Sequence, residues 1–277
     1  MNSLGWRHGE ESVVSYLPLS HVAGLMMDIY MPIAAGATCC FADRNALKGP
    51  LLENLRRYRP TRFVGVPRVF EKIEEGMKLA AATSGVKKKV FHTSKAFLTT
   101  LKVGDWAKAQ ALAHHKAEEA GMAHTSLGYR LAHKIVLSKV HDALGFDRVQ
   151  PFGFNIGGAA VSPETVKYFL SLDMKLLETT AMTETSASLQ ITNMVEPGNF
   201  RIGRVGKAQK FNQIMLENKD ETGMGELLSR GRGNCMGYLN KRLVYLICYI
   251  SSSSYISYNI TLHGFFFQRE NSRSTGR

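Results

Sequence analysis

The chain carries no Gly-x-x-x-x-Gly-Lys-Ser/Thr loop, no Gly-x-Ser-x-Gly elbow and no His-Glu-x-x-His pair. Those absences argue against a P-loop nucleotidase, a standard serine hydrolase and a zincin. Cysteine is scarce. The four residues Cys39, Cys40, Cys235 and Cys248 include no C-x-x-C pair, which speaks against a zinc site or a disulfide framework and fits a reducing compartment. Met1 to Ser12 is polar and lacks an apolar h-region, so no secretory signal is expected. No internal repeat is found. Leu243 to Phe267 has no Asp, Glu, Lys or Arg, yet its Ser, Tyr and Asn content makes it a poor match to the ~20 mostly apolar residues of a membrane span. It also has no helical or strand period, and reads as foreign to the fold.

What is present points to a globular protein. The 277 residues suffice for one large or two modest domains, on a scale of about 100–200 residues each. Hydrophobic residues at 44% against 21% charged make disorder by composition the poorer reading. Lys and Arg number 35 against 23 Asp and Glu, a formal charge of +12. Such a balance suits nucleotides, coenzyme A, nucleic acid or a membrane surface without choosing among them, and a solvated basic face explains it equally well.

Periodicity gives a coarse map. Val13 to His21 reads as a buried strand stopped by Pro18. Ala37 to Ala42 and Phe63 to Val66 are further apolar runs, with a helix around Leu51, Leu52 and Leu55 between them that ends at Pro60. Strand, helix, strand in this order signals βαβ units. From Pro67 the period turns helical, and residues 84–148 read as almost wholly helical and basic, ending at Gly145. Val149 to Ile156 reads as a strand, then Ser162 and Pro163 open a short helix with Val166, Phe169 and Leu170 inward. A last strand, Met174 to Leu177, runs into the polar string Glu178 to Thr185.

Two strand-to-loop junctions could carry chemistry. Gly157, Gly158, Ala159 and Ala160 follow one strand, and small residues there let the backbone approach a flat ligand or a phosphate. Thr183 and Glu184 follow the next, at the carboxyl end where open α/β sheets bind ligands. A hydroxyl beside a carboxylate could serve phosphate and Mg²⁺. Each junction alone is more often an ordinary turn. His114 and His115 precede Glu118 and Glu119, a pattern for which a solvated helix face is a better expectation than a metal site. Gly231-Arg232-Gly233 has the wrong spacing for a dinucleotide fingerprint.

Taken in order, these segments resemble the adenylate-forming superfamily, and within it the long-chain acyl-CoA synthetases of the bubblegum type. The stretches that carry the resemblance begin with Ser15 to His21, Gly65 to Ile73 and Ala143 to Phe146. They continue with Gly157 to Ala160, Met182 to Thr185, Gly203 to Lys207, and Gly225 to Leu227 through Gly237 to Asn240. They span about residues 11–240. The resemblance implies an α/β fold, the central portion of the large N-terminal domain, with parallel-rich sheets flanked by helices and a helical insertion between residues 67 and 148. It implies a fatty-acid–CoA ligase: a fatty carboxylate attacks the α-phosphate of ATP, pyrophosphate leaves, and the thiol of coenzyme A displaces AMP.

Carried over by position, Gly157, Gly158, Ala159 and Ala160 would line the adenine and acyl-adenylate pocket together with Thr180, Ala181 and Met182. Thr183 would bond phosphate oxygens and Glu184 would help hold Mg²⁺. His21 would lie at the acyl end, and Val66 and Pro67 would border the acyl tunnel. The family usually has Tyr-Gly where Thr180 and Ala181 stand, with the Tyr stacked on adenine. It also keeps a phosphate loop ahead of the Ser15 motif, and a Thr-Gly-Asp and a lysine-bearing domain after Asn240. None of these is in this sequence, so an incomplete, inactive fragment is expected, with residues 241–277 an unrelated tail, disordered or a gene-model artefact. A non-catalytic acyl- or nucleotide-binding or regulatory fragment is the alternative. Cytoplasmic placement with peripheral contact to the endoplasmic reticulum or another membrane follows from the family. A nucleic-acid partner is not expected, because no aromatics interleave the Lys-rich helices.

Overall fold

Three parallel strands, β3 (Phe63–Gly65), β4 (Phe154–Gly157) and β5 (Leu177–Thr180), form the middle of a five-stranded sheet in the order β3-β4-β5-β6-β7. Their register pairs Val64 with Asn155 and Asn155 with Leu177. β6 (Gln190–Ile191) and β7 (Lys207–Ala208) extend it antiparallel. A separate parallel pair joins β1 (Ser12–Ser15) to β2 (Thr38–Phe41), and β8 (Asn212–Glu217) forms an antiparallel hairpin with β9 (Glu226–Gly231). The computed structural model describes residues 5–240 except 92–93, 123–124, 152, 187–189, 192–199, 201, 204, 206, 209–211, 219, 222–225 and 236, together with Ser254 and Tyr255 (β10), which pair with β9. Arg204, Gly206 and Gly225 of the motifs, and all but those two residues of 241–277, lie outside the described residues.

Helices fill the connections, as parallel pairing requires. The link from β1 to β2 is a continuous helical run: α1 (Val22–Gly24), a π-wound stretch Leu25–Tyr30, and α2 (Met31–Ala35), capped by Gly36 at φ 60°. A short 3₁₀ turn (Ala46–Lys48) and α3 (Leu51–Tyr58) lead to β3. α4 (Pro67–Phe91) starts on Pro67, whose fixed φ suits the first helical position. α5 (Ser94–Glu119), α6 (Leu127–Ala132), a π-wound His133–Leu137 and α7 (Ser138–Leu144) complete the expected helical insertion, which Gly145 ends at φ 77°. α8 (Pro163–Ser171) crosses from β4 to β5, with the Ser162 hydroxyl accepting the Glu164 N–H as its cap.

Three strand boundaries differ from the periodicity reading. β1 stops at Ser15, because Tyr16 turns aside to donate its hydroxyl to the Val64 carbonyl at 2.6 Å. β4 begins at Phe154 instead of Val149: Gln150 donates to the Thr61 carbonyl and Gly153 to that of Gln150, so this stretch is a turn. β5 is Leu177–Thr180, not Met174–Leu177, since pairing with β4 starts only at the Asn155–Leu177 register. Met174 and Leu176 are fully buried in the link from α8 to β5. Apolarity there marks burial, while hydrogen bonding places the strand three residues later.

The core is a chain of aromatic rings. Phe63 lies 5.5 Å from Phe70, 5.0 Å from Phe146 and 5.6 Å from Tyr16; Phe70 reaches Phe169 at 5.4 Å, and Phe146 reaches Phe154 at 5.1 Å. One ring on β3 thereby meets α4, the link after β1 and the link after α7, which in turn reaches Phe154 on β4, and such pairs add about 0.5–1.5 kcal/mol each beyond their buried area. Beside the small sheet, Asp28 is buried with no partner for Oδ2, and burial raises its pKa to about 6 against a hydrogen bond from Ser15 that lowers it.

Replacing Phe63 with Ala should cost about 3–5 kcal/mol, read as a fall in urea midpoint. Asp28 gives a pH-dependent expectation. Its folded pKa, about 6, stands above the ordinary 3.8, so its contribution is complete below about pH 4 and is lost as pH rises through 6. Asp28→Asn should remove that slope and gain up to roughly 3 kcal/mol over the parent at neutral pH, measured by denaturation at several pH values.

Candidate active site

The parallel strands β3, β4 and β5 deliver three loops to one edge of the large sheet: Val66-Pro67 after β3, Gly158 to Ala160 after β4, and Ala181 to Thr185 after β5. Gly158, Ala159, Ala160, Ala181 and Thr183 are exposed there, whereas Thr180, Met182 and Glu184 are half-buried. Two glycines have physical reasons. A Cβ on Gly157 would lie 2.5 Å from the Thr179 Oγ1 and 2.9 Å from its carbonyl oxygen. Gly158 sits at φ 86°, where side-chain-bearing residues are strained. Thr179 donates its hydroxyl to the Ile156 carbonyl at 3.1 Å, locking β5 to β4 just inside this edge.

The loop after β5 is held from its far side. Thr183–Thr185 forms a 3₁₀ turn, and the Thr185 hydroxyl donates to the Met182 carbonyl at 3.1 Å. Tyr238 donates its hydroxyl to Glu184 Oε1. The Cys235 N–H donates to the Glu184 carbonyl at 2.7 Å, and the Ser186 hydroxyl donates to that of Gly233 at 2.8 Å. The sequence reading passed over this latch, although Tyr238 stands in its Gly-Tyr-Leu-Asn motif. It also passed over Glu178, whose carboxylate, raised by burial, accepts the Gly203 N–H at 2.9 Å. A carboxylate inside a strand in an otherwise uncharged pentad was the available signal for it.

An apolar cavity of about 1050 Å³ adjoins this edge. It lies between α3, α4 and α7 and is walled by Leu17, Leu52, Val69, Ile73 and Val140. Val66 belongs to both features: it lines the cavity, and its Cγ1 is 3.7 Å from where a Cβ on Gly158 would stand. The cavity's charged lining residues are all cationic: Lys48, Arg56, Arg68, Lys72, Lys108 and Lys139.

Comparison with known proteins agrees with this arrangement. Residues 1–239 match the family described as AMP-binding enzyme. The chain belongs to the AMP-binding enzyme family. It is similar to the long-chain-fatty-acid–CoA ligase ACSBG2 of Gallus gallus, 39% identical over 231 residues covering 83% of this chain and 28% of that protein. It is also similar to the human long-chain-fatty-acid–CoA ligase ACSBG1, 38% identical over 83% of this chain and 29% of that protein. The chain thus spans under a third of the length of these relatives. Among solved structures, a benzoate–CoA ligase from Burkholderia xenovorans overlays with a TM-score of 0.53 at 16% identity, covering 90% of this chain and 38% of that one. The o-succinylbenzoate–CoA synthetase of Bacillus subtilis gives 0.55 at 13% identity, covering 91% and 38%. At those identities the structures establish the α/β fold alone.

Within this AMP-binding fold, Val66, Gly157 to Ala160 and Thr180 to Glu184 come together at one sheet edge. Pro67 does not form a wall; it is buried as the first residue of α4. His21 stands apart, exposed on the loop after β1 in the other sheet, where its Nδ1 accepts the Ala23 N–H at 3.1 Å and caps α1. The histidine pair corrects another expectation. His115 is buried, bonded through Nε2 to Asp173 at 2.9 Å and through Nδ1 to Glu118 at 3.2 Å, so it is an internal tie and not a solvated face. Among the described residues no group of three or more His, Cys, Asp or Glu is suited to hold a metal ion. Gly231 closes β9, and the Asn234 N–H returns to its carbonyl, so that glycine pair is a turn.

Gly157→Ala should force β4 and β5 apart and cost about 1–3 kcal/mol in urea denaturation, the usual range for overpacking. Gly76→Ala, with nothing within 4 Å of the added Cβ, should cost nothing and serves as the control.

Proposed function

We propose that residues 11–240 form the acyl- and adenylate-binding part of a long-chain fatty-acid–CoA ligase that couples a fatty acid to coenzyme A through an acyl-adenylate. The observation that carries this reading is the apolar cavity of about 1050 Å³ that meets the carboxyl edge of the parallel sheet at Val66. A nucleotide suits the exposed edge, where Gly157 and Gly158 keep side chains away, and a long apolar chain suits the cavity. The reacting carboxylate would then lie near Val66 and Gly158, between the two. The ACSBG relatives, named for the same ligase activity, support the choice of acid.

The roles follow from position. In this reading the Gly157 to Ala160 backbone and Thr180, Ala181 and Met182 border the nucleotide, and the Thr183 hydroxyl bonds a phosphate oxygen. Glu184 suits Mg²⁺ binding: Tyr238 fixes Oε1, leaving Oε2 as a hard oxygen donor beside the phosphates. Bound there, Mg²⁺ would offset charge on the phosphoryl group during transfer. His21, exposed on the loop after β1, is the one acyl-end residue of this reading that lies outside the large sheet's edge.

A second reading, a non-catalytic acyl- or nucleotide-binding fragment, is favoured by Thr180 and Ala181, since neither can stack on adenine as an aromatic ring does. Trapping of acyl-adenylate with hydroxylamine separates the two: binding of an acyl-adenylate analogue without trapped product selects the fragment.

Titration with saturated fatty acids of increasing length tests the cavity. Affinity should rise about fourfold per added methylene, the equivalent of ~0.8 kcal/mol of apolar burial, until the cavity is full. Val140→Trp should weaken palmitate binding by about tenfold or more and leave octanoate within about twofold. Equal affinity for both acids in the parent protein would refute the acyl reading.

A further inference from the structure

Along α4 the residues that line the apolar cavity are Val69, Lys72, Ile73, Gly76, Met77 and Ala80. They form one helix face, followed for roughly 16 Å at about 1.5 Å per residue. One end of that face adjoins Val66 and the sheet edge. The other end is not purely apolar, because Lys108 of α5 and Tyr168 of α8 line the cavity there. Their place is fixed by Lys78, the neighbour of Met77: its Nζ lies 5.1 Å from the Tyr168 ring centroid, and the Lys108 Nζ lies 5.5 Å from the same centroid. Lys78 is paired with Glu74, which does not line the cavity. Lys108 pairs with no carboxylate among the described residues, and the Tyr168 hydroxyl bonds to none of their groups. Burial, and the nearby Glu74 carboxylate, raise the Tyr168 pKa, so the phenol keeps its proton and can donate. Gly76 and Gly104 line the same end with nothing within 4 Å of an added Cβ, which leaves room for a polar group beyond the chain.

We infer that the far end of the cavity receives a second carboxylate, so that the site takes long-chain α,ω-dicarboxylic acids, the far carboxylate meeting the Lys108 ammonium and the Tyr168 hydroxyl. The inference rests on the acyl-binding reading, which puts the reacting carboxylate at the Val66 end. A carboxylate at the end of an apolar cavity costs free energy unless a cation and a hydrogen-bond donor meet it. An ammonium without a carboxylate of its own, beside an unbonded phenol, supplies both, and bonds between charged partners are the stronger kind. A cavity shaped for a methyl terminus alone would draw nothing from either group. The acid-free lining adds to the selection, since no fixed negative charge in the cavity opposes the second carboxylate.

The test is calorimetric titration of the full chain with hexadecanedioic acid, its monomethyl ester and palmitic acid. The diacid should bind about tenfold or more tightly than the ester, the scale of a hydrogen bond to a charged group and more than the statistical advantage of two equivalent ends. Lys108→Met keeps the length of the side chain and removes its charge. It should abolish or reverse the preference, because the far carboxylate then loses its cation. Tyr168→Phe should reduce the preference by about threefold or more, and Lys108→Arg should retain it. The ratio of diacid to ester affinity is read within each variant, so a general loss of fold lowers both affinities and leaves the ratio alone. Circular dichroism checks the fold independently. Equal or weaker binding of the diacid by the parent, with palmitate bound, overturns the inference and leaves the acyl-binding reading standing. A preference that survives both Lys108→Met and Tyr168→Phe also overturns it. Failure of the parent to bind any of the three acids defeats the acyl-binding reading, and the inference with it.

Discussion

Parallel pairing of β3, β4 and β5 is the constraint from which the rest of this structure follows. Parallel strands cannot be joined by tight turns, so each return needs a helix or a longer excursion, and all three strands release their chain at the same sheet edge. Here the excursion between β3 and β4 is the basic helical insertion, and the return between β4 and β5 is α8. The edge therefore gathers segments from residues 66, 158 and 181, far apart along the chain. Phe63 secures the arrangement by meeting three rings from distant segments, Tyr16 after β1, Phe70 on α4 and Phe146 after α7.

The same insertion gives the edge its apolar neighbour. α4 starts directly on Pro67, and its residues Val69 and Ile73 wall the cavity together with residues of α3 and α7. Val66 is short enough to serve both sides, facing the cavity while bordering Gly158. A polar rim and an apolar cavity sharing one residue suit a molecule with a reactive head and a long tail. The histidine tie His115–Asp173–Tyr129 fixes the insertion to the link between α8 and β5. Asp173 accepts both bonds from a left-handed backbone position at φ 63°, and its pKa stays lowered because these hydrogen bonds and the neighbouring histidines outweigh its burial.

Glu184 is a half-buried carboxylate whose loop is held from outside the large sheet. Its loop is held by bonds from Tyr238, Cys235 and Ser186, all to or from the segment after β9. The antiparallel hairpin thus stabilises a loop that belongs to the parallel sheet. This coupling ties Gly233, Cys235 and Tyr238 to the loop after β5.

The sequence determined the local features that depend on near neighbours. Pro67 and Pro163 at helix starts, Ser162 as a cap, Gly145 as a stop, the long helical insertion and the small residues after β4 were all legible, because capping and backbone limits act within a few positions. The ordered motifs also identified the α/β family. Strand limits were less legible: Met174 and Leu176 look like strand residues by apolarity, yet hydrogen bonding is set by a partner some twenty residues away in β4. Only the tertiary structure decided that His115 is buried, that His21 caps α1 on a loop outside the large sheet, and that Tyr238 latches Glu184. Each of these depends on contacts between distant segments, and neither composition nor period records such contacts.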